Sequence, residues 1–246
     1  MTGLLEKYAK DDDVRQLLLV EWCDGSNAVV RYYVKGPKGW RLRGRCDAYV
    51  GKNGVGKTRE GDARTPLGEL KAIRAFGILP DPGCALPFLR VTPGTVAVDE
   101  EGPYYNRIVQ AGEVCGEQGG AGGPGAPDSC PAALPGGERM WELSPEYDYG
   151  LETDYNAAGI WPLGSAIFIH CKGSKAWTGG CVALDKSLMK KILRTADSGL
   201  RIIVSKLGLP EPAKTDGGPK GRASASCKSV CPRHCIRSAS SWPSAL

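Results

Sequence analysis

Apolar residues in this chain gather mostly in short β-branched runs, and few of them follow helical spacing. QLLLVEWC (16–23) and AVVRYYVK (28–35) are two such runs. They are parted by Asp24-Gly25-Ser26-Asn27, which predicts a β-hairpin. WRLRGRCDAYVG (40–51) and GELKAIRAFG (68–77) read as further strands, the second also compatible with a short helix. A proline-rich connector (78–88) leads into VTPGTVAVDEEGPYYNRIV (91–109), a short strand set among turns. Patterning stops over 112–138, a Gly/Pro/Ala insert expected to be a mobile surface loop, and resumes at YDYGLETDYN (147–156) and GSAIFIHC (164–171). Helical spacing is clearest in DKSLMKKILRTADSG (185–199), with Asp185 as N-cap, apolar residues at 188, 189, 192 and 193, and a glycine stop. LRIIVSK (200–206) is a last buried strand. The expectation is a mainly β domain with one or two short helices over 15–207, preceded by an N-terminal extension (1–14) and followed by a disordered basic tail (208–246).

Composition supports a turn-rich β chain, with 34 Gly and 18 Pro in 246 residues. The formal charge of +5 is concentrated in the tail, where six basic residues after Leu209 face only Glu211 and Asp216. The body is therefore close to neutral, which argues against a nucleic-acid binder. No run approaches the roughly 18 apolar residues needed to span a membrane, and MTGLLEKYAKDDDVRQ is not a signal peptide. The ten Cys are too irregularly spaced to parse: Cys115 and Cys130 flank one loop as a candidate disulfide, and free buried thiols are the alternative. Cys227, Cys231, His234 and Cys235 could be read as a zinc site, but they lack paired ligand spacing, and no metal is expected.

Gly51-Lys52-Asn53-Gly54-Val55-Gly56-Lys57-Thr58 satisfies the phosphate-loop pattern G-x-x-x-x-G-K-[ST]. A working phosphate loop needs a helix starting at its Lys-Thr, because the helix N-terminus holds the phosphates. Gly61, Pro66 and Gly68 occupy the place of that helix, and proline alone costs about 3 kcal/mol in a helix interior. The stretch therefore reads as a glycine-rich turn leaving a strand, with no nucleotide.

Chemistry is suggested instead by SAIFIHCKGSKAWTGGCVALD (165–185), where His170 ends an apolar strand and Thr178-Gly179-Gly180-Cys181 follows a short polar loop. Thiol acyl transfer needs a sulfur nucleophile, a base within reach and donors for the oxyanion. Two glycines before Cys181 allow consecutive N–H groups to face one point, and His170 can supply the base. From spacing alone, Cys181 is also open to reading as a small buried hydrophobe, and a strand-end His as a satisfied polar residue. Cys171 should point to the opposite sheet face from His170 and is read as structural.

At these residues the chain resembles the L,D-transpeptidase catalytic domain, the YkuD family of bacterial cell-wall enzymes. GKNGVGKTREGDARTPLGEL (51–70) is similar to the family's glycine-rich strand exit followed by G-D-x-x-T-P-x-G. DEEGPYYNRIV (99–109), DYGLETDYN (148–156), GSAIFIHC (164–171) and TGGCVAL (178–184) resemble later blocks in the same order. The resemblance implies a mixed, mainly antiparallel β-sandwich with Cys181 as nucleophile and His170 as base. It implies an oxyanion hole from the Gly180 and Cys181 amides, with Gly179 as a further donor, and puts Thr178 in the motif's hydroxyl position. Tyr105, Asn106, Arg107, Tyr155, Asn156 and Lys172 are the substrate contacts expected with it. The implied substrates are a peptidoglycan tetrapeptide stem and an acceptor amine. Cys181 would attack the L-centre carbonyl of the third residue and release D-Ala; an amine or water would then take the thioester. No cofactor is implied, the protein is expected to be a monomer, and the cell wall outside the cytoplasm is the implied location. Ala183 departs from the family's Arg or Asn two residues after the nucleophile, and Arg107 or Lys172 are the expected replacements. The loop from His170 to Cys181 is also shorter than the family's commoner spacing. A non-catalytic wall-binding module of the same fold is the alternative.

Overall fold

The computed structural model describes residues 2–111 and 135–206. The tail over 208–246, with its candidate zinc residues, and the Cys115/Cys130 pair lie outside the described residues, as does most of the 112–138 insert.

The first two apolar runs form the expected hairpin, β1 (Gln16–Asp24) and β2 (Asn27–Gly36), with Asp24 opposite Asn27 and Gly25 at φ +46° in the turn. β3 (Gly39–Tyr49) pairs antiparallel with β2, and β4 (Gly68–Gly77) is a strand, not the short helix its sequence also allowed. There follow β5 (Phe88–Arg90), β6 (Thr95–Val98), β7 (Ile108–Gln110), β8 (Gly137–Arg139), β9 (Gly150–Thr153), β10 (Phe168–Cys171), β11 (Val182–Leu184) and β12 (Leu200–Lys206). Two helices are present among the described residues, α1 (Thr2–Lys7) and α2 (Lys186–Leu193).

Pairing runs β12-β1-β2-β3-β11-β10-β9-β4, and β4 pairs again with β12, so eight strands close into a barrel with β5 as a branch on β4. The molecule is mainly β as expected, but a closed barrel stands where a sandwich was expected. Closure depends on β12, which lies parallel to β1 and antiparallel to β4. β6, β7 and β8 form a separate three-stranded sheet in the order β7-β6-β8.

β1 explains the N-terminal segment. Its side chains alternate, so Leu18 and Val20 face the barrel core while Leu17 and Leu19 face outward. The outward pair is fully buried all the same, because Tyr8 and Val14 pack over it with Tyr33 and Ile203. α2 packs Leu188, Met189, Ile192 and Leu193 against the core. Asp185 sits at its N-cap position without a capping bond; its carboxylate accepts from Lys172 Nζ at 2.8 Å instead.

The C-terminal end of the insert needs correcting: Gly137 and Glu138 belong to β8. A Cβ at Gly137 would lie 2.2 Å from the Ala97 carbonyl oxygen on β6, so strand approach here demands glycine. The residue that looks like loop composition is what permits the pairing.

Ile169 on β10 is completely buried in the barrel core. Ile169→Ala should cost about 2–5 kcal/mol in urea unfolding, and a loss below about 1 kcal/mol would show that the barrel interior collapses around the void.

Candidate active site

β10 and β11 are parallel neighbours, with Ile169 opposite Val182 and His170 opposite Ala183. A parallel pair requires a return crossover, and residues 172–181 provide it. The crossover brings Cys181 to the start of β11, level with Phe168. Parity then sorts the side chains. Ile169, Cys171, Val182 and Leu184 enter the barrel core, while Phe168 and Cys181 join an apolar cluster outside it with Phe76 and Tyr147. His170 shares the outer face, and its Cα lies roughly 8 Å from that of Cys181 by strand rise and spacing. Both residues line one cleft of about 390 Å³ between the barrel wall and β8.

Five backbone and hydroxyl interactions hold the Cys181 turn. The Thr178 and Thr65 hydroxyls both donate to the Cys181 carbonyl, at 2.7 and 3.1 Å. Thr178 N–H donates to the Val50 carbonyl, and Lys52 N–H donates to the Thr178 carbonyl. Gly51 N–H donates to Thr65 Oγ1 at 2.9 Å. The glycine-rich strand exit at 51–58 is thus the bed on which the Cys181 turn rests.

That exit binds an anion of its own. The Asp62 carboxylate accepts from the N–H groups of Thr58, Arg59 and Arg64 and from Lys57 Nζ, at 2.7 to 3.2 Å. No helix follows Thr58 before β4. The donors a phosphate would need are therefore engaged within the loop. Burial alone would raise the Asp62 carboxyl, but these donors outweigh it and hold it below the usual value.

The sulfur and the imidazole are each engaged locally. The Cys181 thiol donates to the Ala166 carbonyl at 3.1 Å and accepts from Phe168 N–H at 3.3 Å. Burial, reinforced by the Glu138 charge, pushes it up to about 12. His170 Nδ1–H donates to the Cys171 carbonyl at 2.8 Å, which assigns the lone pair to Nε2. Burial holds His170 below its ordinary value, so the ring is neutral at pH 7. Nε2 has no hydrogen-bond partner among the described residues, and no bond joins it to Cys181 in this resting arrangement. Gly180 N–H donates to Thr178 Oγ1 at 3.2 Å, so its expected part as an oxyanion donor is replaced by one in shaping the turn. A Cβ at Gly180 would lie 2.9 Å from Ile167 and 3.0 Å from the Arg64 carbonyl oxygen, whereas Gly179 is open to space.

The expected substrate contacts lie elsewhere. Tyr105 is buried, donating to Glu60 at 2.6 Å and accepting from Gly164 N–H. Asn106 at φ +60° and Asn156 at φ +47° spend their amides on backbone: Asn106 on Tyr155, Asn156 and Ala166, and Asn156 on Ile160 and Gly164. Asn106, Arg107 and Tyr155 border a different cavity of about 230 Å³. Lys172 pairs with Asp185 and lies over the Tyr49 ring. Neither Arg107 nor Lys172 reaches the cleft beside Ala183. The cleft is lined instead by groups that spacing did not single out: Lys57, Glu60, Glu138, Glu146, Tyr147 and Trp177. Tyr147 packs edge-on against His170 with ring centres 5.4 Å apart, and its hydroxyl donates to Glu138.

No family model and no curated protein matches this chain. Among solved structures it is similar to Bdellovibrio bacteriovorus Bd1075, at 12% identity and TM-score 0.37, over 78% of this chain and 48% of that one. It is also similar to the helical cell shape determining protein Pgp2 from Campylobacter jejuni, at 16% identity and TM-score 0.38, over 84% of this chain and 55% of that one. The chain spans about half the length of these structures.

The Lys57–Asp62 pair gives a test of the loop. A carboxyl held low stabilises the fold above its unfolded-state value, and that stability is lost as pH falls through its folded value. Asp62→Asn should cost about 3 kcal/mol or more at pH 7 by leaving the Lys57 ammonium buried and unpaired. It should also flatten the fall in stability below pH 4. A variant as stable as the parent at pH 7 would show that the pair does not hold the loop.

Proposed function

We propose that the protein is a cysteine acyltransferase of the L,D-transpeptidase type, acting on peptidoglycan stem peptides. The observation that carries this reading is the placement of Cys181 and His170 on one outer face of adjacent parallel strands, both lining one cleft, with Nε2 unprotonated. The barrel wall with the small sheet packed outside it is taken, in the same proposal, as this family's β-sandwich. Every side chain invoked comes from one chain, and the reaction belongs at the cell wall outside the cytoplasm.

With the thiol at about 12, a free thiolate at pH 7 would lie about 7 kcal/mol above the thiol. The proton must therefore leave as the bond to carbon forms. The thiol turns from the Ala166 carbonyl toward Nε2, and His170 takes its proton as sulfur attacks the carbonyl carbon. The resulting oxyanion faces the amides of Gly179 and Cys181. Collapse breaks the C–N bond, and the imidazolium returns the proton to the departing D-Ala amine. A stem amine then displaces sulfur to give a cross-link, or water does so to give a trimmed stem.

One observation favours a second reading, a wall-binding module without turnover: the resting thiol is bonded to Ala166, not to His170. Incubation with a disaccharide tetrapeptide, followed by mass spectrometry, separates the two. Catalysis predicts D-Ala release that Cys181→Ala abolishes and Cys171→Ala retains, and a covalent carbapenem adduct on Cys181. Binding to wall material with neither release nor adduct selects the module.

The base also sets the pH dependence. Only neutral His170 can accept the proton, and burial holds it below 6.5, so kcat/KM should rise with pH on a limb centred below 6.5 and be level through neutrality. His170→Ala should lose about 10²–10⁴-fold and with it that limb. A limb centred above pH 7 would exclude His170 as the base.

A further inference from the structure

Glu138 has no part in the proton path just described, yet it lines the same cleft as Cys181 and His170. It arrives from β8, opposite Ala97 of β6, and so belongs to the small sheet, not the barrel. Its carboxylate accepts from the hydroxyl of Tyr147, which is almost fully buried. The Tyr147 ring is wedged edge-on among Phe76, Phe168 and His170, with centres 5.5, 5.9 and 5.4 Å away.

We propose that Glu138 is a positioning residue of this site: its bond to Tyr147 fixes the ring that packs against His170, and it puts a negative charge on the wall of the cleft that Cys181 lines. The step in turnover rests on the acyltransfer reading; the effect on the sulfur does not. The carboxylates of Glu60 and Asp99 face Glu138 from the 51–65 loop and the end of β6, and Glu146 lies beside Tyr147. Lys57 and Lys175 are the cations of the same cleft. Burial, with Asp99 and Glu60, raises the Glu138 carboxyl, and the Tyr147 hydroxyl opposes this. An ionised carboxylate here disfavours a second negative charge on Cys181.

Two variants separate the two effects. Glu138→Gln keeps an oxygen to accept from Tyr147 but removes the charge. Tyr147→Phe keeps the ring and the charge but removes the tether. The readouts are the pH dependence of iodoacetamide labelling at Cys181, followed by peptide mass spectrometry on folded protein, and steady-state kinetics. Glu138→Gln should move the labelling midpoint to lower pH and speed labelling at pH 9 by about tenfold, one pKa unit. Tyr147→Phe should leave the midpoint in place and lower kcat by about tenfold with KM unchanged, as the imidazole loses its fixed wall. A labelling midpoint that stays put or rises in Glu138→Gln overturns the proposal, whether or not the protein turns over. A Tyr147→Phe enzyme whose loss lies in KM, or that keeps its kcat, overturns the positioning half. If wild type shows no turnover, the labelling comparison alone decides for or against the charge, and the acyltransfer reading falls separately.

Discussion

Two hydroxyl groups, from Thr65 and Thr178, converge on the carbonyl oxygen of Cys181, and the geometry of the site follows from that convergence. Both threonines are buried, so each bond is made where water cannot substitute for it. A buried acceptor left without a partner costs about 1–3 kcal/mol, enough to keep the turn in one conformation. The turn in turn decides the face on which sulfur emerges. One residue of slippage in the β10–β11 register would send Cys181 into the barrel core and Val182 into the cleft. The glycine-rich stretch at 51–58 serves the same end. Its backbone meets the Cys181 turn at Thr178, and the rest of its loop is held closed by Asp62. A pattern that matches phosphate binding letter for letter is here occupied by a carboxylate from its own loop.

Burial sets the dominant direction of the electrostatics in the cleft. Burial works against charge on both Cys181 and His170, raising the thiol and lowering the imidazole. Each change favours the neutral pair over thiolate and imidazolium. Glu138 adds to this, whereas the Phe168 amide and the Lys57 charge act against it and are outweighed. A neutral pair is the form in which His170 can act as a base at pH 7. The local bond from Nδ1 to the Cys171 carbonyl completes the arrangement by fixing the tautomer.

Local pattern carried much of this to the reader of the sequence. The hairpin, the strand from 68 to 77 and the parity of His170 against Cys171 all follow from alternation within a few residues, and the structure has them. The closed barrel was not legible, because the β12–β4 pairing joins segments more than a hundred residues apart and no turn signal announces it. Glu138 was hidden for a different reason. It follows glycines needed for close strand approach, and glycine-rich composition reads as loop. The opposite error attaches to Asn106 and Asn156. Polar residues in turns invite a binding interpretation, but asparagine tolerates positive φ and can bond neighbouring backbone, and both residues do so here.

The small sheet therefore has a clearer purpose than its size suggests. The barrel alone supplies a cysteine and a histidine on an outer wall, where solvent would stabilise charge on each. β6 and β8 lie over that wall, and Ala97 and Met140 join Tyr147, Phe168 and Cys181 in one buried apolar cluster beside the cleft. The same cover brings in Glu138, the acidic group that counts most against a thiolate. Part of the apolar cover and the Glu138 charge thus arrive together on the small sheet. The thiol is quiet at rest because of what lies over it, and any chemistry at Cys181 must supply, at the moment of attack, the polar contacts that this cover withholds.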